Sequence, residues 1–248
     1  MFWFRIKKII SIIFDPFLFT ALMKGAAAGV EHRPVLRNLN VEYLVDIGAN
    51  RGQFALIARK VYPQAIIHSF EPLEEPGQIF KKVFTGDPNV TLHSCAIGSE
   101  KTIASIHITM EDDSSSFLPI TKTQSEMFPG ATEKGTRQVS VLRLSQALGN
   151  TSIPHASLLK IDVQGFELEV LKGCEDILNN FTNLYIECSF LELYEDQALA
   201  YEVIAWLEQR NFFLSGVYNM YYDKNGTAVQ GDFLFTGKQR IGNIKIDG

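Results

Sequence analysis

Residues 41–57, VEYLVDIGANRGQFALI, constrain the fold of this chain more than any other stretch. An apolar run at 43–45 leads into Asp46-Ile47-Gly48-Ala49-Asn50-Arg51-Gly52. After it, Phe54, Ile57, Ala58 and Val61 recur at i, i+3, i+4 and i+7, the apolar stripe of an amphipathic helix. Strand, tight glycine turn and helix, in that order, open a nucleotide-binding α/β unit. Gly48 and Gly52 lack a Cβ, so the backbone there can approach a ligand closely and take positive φ. N–H groups at the helix start favour a polar or anionic ligand group. Asp46, ending the strand, can accept hydrogen bonds from an amine or hydroxyl. The spacing is Asp-x-Gly-x-x-x-Gly, with Asn50 where the dinucleotide fingerprint G-x-G-x-x-G has its second glycine. That departure disfavours a nicotinamide-dependent oxidoreductase. A tight turn with no ligand is the plainer alternative.

Residues 65–70 (AIIHSF) read as a second strand, closed by Glu71-Pro72. An acidic residue about 20 positions after the glycine turn is where Rossmann-like folds bind a ribose diol. Both oxygens of a carboxylate can accept from the two hydroxyls. The pairing of turn and Glu71 favours ribose binding over an ordinary strand-end carboxylate.

Further along, residues 74–84 read as a helix, 89–97 as strand three and 101–110 as another strand. Residues 111–135 are polar and form the longest expected irregular stretch, an active-site lid or a surface insertion. A short strand follows at 139–142. Residues 157–173 (SLLKIDVQGFELEVLKG) give a buried strand ending at Asp162, a turn at Gly165 and a helix carrying Val170, Leu171 and Cys174. Residues 183–188 (NLYIEC) form a strand holding Glu187. Leu199, Val203, Trp206 and Leu207 mark one more helix. Residues 212–218 and 232–236 read as a terminal antiparallel hairpin turning at Asn225-Gly226. Alternating strands and helices imply a mostly parallel sheet covered on both faces.

The chain has 248 residues, enough for one α/β domain (31–248) and an N-terminal appendage (1–30). In the appendage, Arg5, Lys7 and Lys8 precede an apolar stretch from 9 to 22, interrupted by Asp15-Pro16. Its uninterrupted parts are too short to span a bilayer. Ile6, Ile9, Ile10 and Ile13 share one helical face. The segment is read as a helix packed on the domain or on a dimer mate, as an interfacial membrane helix, or as a signal peptide. The formal charge of −5 argues against general nucleic-acid binding. Cys95, Cys174 and Cys188 are scattered, odd in number and without metal-ligand spacing, so they are expected to be reduced core residues of a cytoplasmic protein.

Together these segments resemble the FkbM-type family of S-adenosylmethionine-dependent methyltransferases. The matching pieces are VDIGANRGQFAL, FEP, NVTLHSCAIG and LLKIDVQGFELEVLKG, with Glu187 in YIEC, over residues 41–237. The resemblance implies a Rossmann-like class I methyltransferase fold: a seven-stranded sheet, parallel except for its last inserted strand. It also implies O-methylation of a sugar, glycan, glycolipid or secondary metabolite. Under it, Asp46, Gly48, Asn50 and Gly52 surround the methionine and adenosine part of the cofactor and Glu71 takes the ribose. Ser94, Cys95 and Ala96 line the adenine, and Asp162 lies near the sulfonium. Phe54 and Ile97 are expected in the core. The chain departs from the family pattern at Gln164, where Glu is usual, and at Leu144-Ser145, where Leu-Asp is frequent.

An alcohol acceptor gains from a base that removes its proton. Asp162, Lys160 and Glu187 are the candidates; His68, His93, His107 and His155 are also considered, the first three as structural strand residues. Asp162 and Glu187 lack a clear third ligand for a hard cation, so no metal is expected. The expected partners are a small-molecule or glycan acceptor and, for residues 1–24, a membrane's inner face or a homodimer mate. The competing reading is a catalytically idle cofactor-binding or scaffold protein that docks through its N-terminal helix.

Overall fold

A computed structural model describes residues 10–110, 114–128 and 130–238. The strands are β1 (Tyr43–Ile47), β2 (Ile66–Phe70), β3 (Val90–His93), β4 (Ala96–Ile97), β5 (Thr102–Thr109), β6 (Glu133–Leu142), β7 (Ser157–Ile161), β8 (Asn183–Ser189), β9 (Phe212–Tyr222) and β10 (Ala228–Gly237). The helices are α1 (Pro16–Met23), α2 (Arg33–Arg37), α3 (Gln53–Val61), α4 (Glu74–Val83), α5 (Lys122–Met127), α6 (Leu144–Leu148), α7 (Glu167–Cys174) and α8 (Ala200–Glu208).

Strand β1 is buried along its whole length and pairs in parallel with β2 on one side and β7 on the other. Connections leave it in both directions, so a crevice opens beyond its carboxyl end, where open α/β sheets bind their ligands. The sheet has seven strands in the order β3-β2-β1-β7-β8-β10-β9, and β10 runs antiparallel to both neighbours. This is the class I methyltransferase arrangement.

Alternation along β1 and β7 divides the core in two. Tyr43, Val45, Ile47, Leu159 and Ile161 pack with Leu144, Leu171 and Leu207 from α6, α7 and α8. Leu44 and Leu158 face the other layer, with Leu18, Leu36, Leu56 and Phe80 from α1 to α4. Cys95, Cys174 and Cys188 are free and buried.

Four expected elements differ. Strand three divides after His93: β4 leaves the large sheet and joins a three-stranded one, β4-β6-β5. The expected short strand at 139–142 is the end of the ten-residue β6, whose polar first half pairs antiparallel with β5 from Thr109↔Glu133 onward. Those polar positions hide the period of two, because the strand is mostly exposed there. Helix α5 also lies within the stretch expected to be irregular. The hairpin strands run on to Tyr222 and from Ala228, because Asp223 Oδ1 accepts the N–H groups of Asn225 (2.9 Å) and Thr227 (2.7 Å) and closes the turn.

In the N-terminal region, Asp15-Pro16 starts a helix. Asp15 Oδ1 accepts from the N–H groups of Phe17 (3.1 Å) and Leu18 (3.3 Å), with Pro16 at the first turn of α1. Asp15 also pairs with Lys60 of α3 at 2.8 Å. Ile12, Leu18 and Ala21 are buried against the domain, whereas Ile10, Ile13, Phe14, Phe17, Phe19 and Met23 face outward. Arg5, Ile6, Lys7, Lys8 and Ile9 lie outside the described residues. Among the described residues no helix is long and apolar enough to cross a membrane.

Candidate active site

The turn after β1 has no room for a side chain at either of its glycines. Gly48 has φ +77°, and a Cβ there would stand 1.8 Å from the Asp162 carbonyl oxygen. Without one, the ends of β1 and β7 close against each other at the crevice. Gly52 has φ +90°, and a Cβ would meet the rings of Phe84 and Phe80 at 2.7 and 2.9 Å. Sequence reasoning expects free amides at this turn, but the protein uses them. Gly48 and Ala49 donate to the Phe70 carbonyl, Asn50 to Glu71 Oε2, Arg51 to its neighbour's Oδ1 and Gly52 to the Ala49 carbonyl. The turn therefore offers a ligand close backbone approach.

Glu71 is almost fully buried and ties two segments together. Its Oε2 accepts the Asn50 N–H (2.9 Å) and its Oε1 the Leu73 N–H (2.8 Å).

A cavity of about 450 Å³ opens at this edge of the sheet, within the size range of small-molecule sites. Gly48, Asn50, Glu71, Ala96, Lys160, Asp162 and Glu187 line it, as the sequence suggests. Asp46, Gly52, Ser94 and Cys95 are not among its lining residues. Asp46 is wholly buried behind the turn, Gly52 packs on the α4 side, Ser94 is exposed and Cys95 belongs to the core. Phe54 and Ile97 are buried as expected and also border the cavity. His32, Gln124 and Gln230 line it too, and no motif marks them in the sequence.

The three expected acid–base residues separate by environment. Lys160 is buried; its Nζ stands 3.1 Å from Asp46, 2.9 Å from the Gly48 carbonyl and 3.6 Å from Asp162. Burial opposes its charge, but Asp46 and Asp162 outweigh that and raise its pKa. Lys160 thus remains an ammonium and braces the turn; it has no lone pair with which to act as a base. Asp162 has a side chain 37% exposed and faces the cavity. Burial, then the charges of Asp162, Asp232 and Glu167, push the Glu187 carboxyl well above the carboxylate range.

Gln164 explains its own departure from the usual Glu. It sits at φ +58°, and its Nε2 donates to both Asp162 Oδ1 and Glu187 Oε2, each at 2.9 Å. Its Oε1 lies 2.9 Å from the Tyr194 hydroxyl, and Gln230 Nε2 donates to Glu187 Oε1 at 2.8 Å. A Glu at position 164 would crowd a third acid against Asp162 and Glu187; the amide instead donates to both. Among the described residues no group of His, Cys, Asp and Glu is arranged to hold a metal.

Glu167 shapes the same loop. Its Oε1 accepts the N–H groups of Val163 (3.2 Å) and Gly165 (3.1 Å), while burial lifts its pKa to about 7. A raised carboxyl pKa adds stability that is complete below the unfolded value of 4.5 and lost as pH rises through 7. Glu167→Gln keeps the accepting oxygen and removes the titration. At pH 8 the variant is expected to be more stable than the parent by roughly 2–3 kcal/mol, and equal to it near pH 5, in urea denaturation. A gap independent of pH contradicts the assignment.

A family model described as the methyltransferase FkbM domain matches residues 46–214. The chain belongs to the FkbM family of S-adenosylmethionine-dependent methyltransferases. It is 31% identical over 146 residues to Methyltransferase 1 of Beauveria bassiana (strain ARSEF 2860), covering 54% of this chain and 59% of that protein. It is 28% identical over 177 residues to the 31-O-demethyl-FK506 methyltransferase FkbM of Streptomyces tacrolimicus, covering 60% of this chain and 63% of that one. The chain thus spans less than two thirds of either relative. Among solved structures, the magnesium protoporphyrin IX methyltransferase of Synechocystis PCC 6803 with bound cofactor aligns at TM-score 0.46 and 10% identity, over 84% of this chain and 80% of that one. The site of this FkbM-family chain fits S-adenosylmethionine: a glycine turn, a carboxylate at the ribose position of the fold and the acidic groups Asp162 and Glu187 share one cavity.

Proposed function

We propose that this FkbM-family methyltransferase acts on oxygen, methylating a hydroxyl of a sugar, glycan, glycolipid or secondary metabolite. The observation that carries this reading is the Asp162–Gln164–Glu187 cluster in the cavity lining, which brings acceptor oxygens of the protein to the same space as the glycine turn. Hydroxyls neighbouring the one that reacts donate to such oxygens and thereby orient the acceptor. The relative from Streptomyces tacrolimicus, named for the 31-O-demethyl form of its substrate, supports the same chemistry.

S-Adenosylmethionine, when bound, supplies a methyl group made electrophilic by the adjoining sulfonium. The chain's own part is positioning. The Gly48 turn and Glu71 hold the nucleoside end, and Asp162 faces the reacting end. Orienting the acceptor oxygen for in-line approach supplies much of the acceleration in such a displacement.

The test is a calorimetric titration with S-adenosylhomocysteine, followed by transfer of labelled methyl to a panel of hydroxyl acceptors. Glu71→Ala is expected to weaken binding by about 1–3 kcal/mol, because it removes ribose acceptors and leaves the Asn50 and Leu73 amides unpaired. Unchanged affinity refutes the ribose role. Tight binding with no transfer to any acceptor favours an idle cofactor-binding protein.

A further inference from the structure

We propose that His32, oriented by Asp232, is the group that takes the acceptor's proton. The proposal rests on the O-methyltransferase reading and adds residues that the family match, 46–214, does not contain.

His32 ends the 3-10 turn Val30–His32, ahead of β1, and lines the cofactor cavity. Its Nδ1 stands 3.2 Å from the Tyr185 hydroxyl and 3.4 Å from Asp232 Oδ2. Tyr185 donates its single proton to Asp232 Oδ2 at 3.0 Å, so toward His32 it can only accept. Asn219 Nδ2 also lies 3.2 Å from Nδ1, but its two hydrogens go to Asp232 Oδ2 (2.7 Å) and the Tyr185 hydroxyl (3.3 Å), so the ring proton sits on Nδ1 and Nε2 carries the lone pair. No protein hydrogen bond among the described residues engages Nε2.

The alternatives are engaged. Lys160 is a braced cation; Glu187 accepts an amide donor on each oxygen; Asp162 accepts from Gln164 and faces Lys160. Imidazole is also the side chain that most often serves as a general base.

The surroundings of the ring are defined. Asp232 comes from β10, Tyr185 from β8, Asn219 from β9 and Phe54 from α3, with Glu31 adjacent in sequence. Asp46 and Lys160 form the nearest buried ion pair behind Phe54. Asp232 is buried, which opposes its charge, but hydrogen bonds from His32, Asn219 and Tyr185 hold its pKa below the ordinary value. It thus remains a carboxylate that fixes the ring, a positioning residue.

In the step, the acceptor oxygen bonds to the methyl carbon as the sulfur–methyl bond breaks and its electron pair stays on sulfur. The acceptor's proton passes to His32 Nε2 and then to solvent.

The test uses the full chain, its His32→Asn variant, which keeps a donor near Nδ1 and deletes Nε2, and Asp232→Asn. His32→Asn is expected to lower kcat about 100- to 1000-fold, leave S-adenosylhomocysteine affinity within about twofold, and abolish the acid limb of the pH profile. Added imidazole should restore part of the rate. Histidine nitrogen shifts in the parent are expected to show Nδ1 protonated and Nε2 free, and Asp232→Asn to disturb that tautomer. A parent with Nε2 protonated overturns the proposal. So does a His32→Asn enzyme with the parental rate and pH limb, or one whose loss is in cofactor affinity alone, which makes His32 a cofactor contact. A parent that binds S-adenosylhomocysteine but methylates no hydroxyl overturns the underlying reading, and this proposal with it.

Discussion

Replacing Gly48 with alanine is expected to abolish cofactor binding and to destabilise the protein by about 2–5 kcal/mol. Two costs add. Holding a side chain at positive φ costs about 1–2 kcal/mol. The new Cβ would also stand 1.8 Å from the Asp162 carbonyl, so β1 and β7 must part where the cavity begins, and such overpacking costs about 1–3 kcal/mol. Gly226 provides the control: at φ +83° with nothing within 4 Å, its alanine variant meets only the first cost. Urea denaturation and calorimetry with S-adenosylhomocysteine on both variants separate the effects. Equal losses at the two positions would mean that close packing at Gly48 is not what sustains the site.

The second large effect is expected at Lys160. Lys160→Met preserves the buried stem and removes the charge, leaving Asp46 with no cation in an enclosed position. Breaking a buried pair from one side costs about 3–5 kcal/mol. The Asp46 carboxyl, whose pKa burial already raises despite Lys160, is then protonated more readily. A raised carboxyl pKa means stability held at low pH and lost as pH rises. The deficit of Lys160→Met is therefore expected to be larger at pH 8 than at pH 5. Adding Asp46→Asn should recover part of it, since the amide has no charge to bury. A deficit that is the same at both pH values and unrelieved by Asp46→Asn contradicts the ion-pair account.

Local pattern made much of this protein legible. The turn between Gly48 and Gly52, the Glu71 strand end and the Asp162 strand end each sit at a change of period from two to 3.6, and these changes mark sheet edges. Patterning failed where a segment is half exposed or polar. The first half of β6 carries Glu133, Lys134, Thr136 and Arg137, which look like loop residues until β5 is beside them. Asp15-Pro16 reads as a break in an apolar run, but with Lys60 opposite it is a helix start.

The chemistry of individual side chains was less legible than their positions. Lys160 in β7 and Asp162 just past its end are two residues apart, yet one is a sealed cation and the other faces the cavity. Gln164 looks like a lost charge until its amide is seen between two carboxyl groups.

What the sequence by itself determined is the order of strands and helices, the glycine turn and the cofactor edge, because these follow from backbone geometry and apolar period. What only the tertiary structure decided is which polar groups are paired and which are open. Hydrogen-bond partners such as His32 and Asp232, 200 residues apart in the chain and 3.4 Å apart in space, are brought together by the burial of other residues, and no local signal in the chain records that.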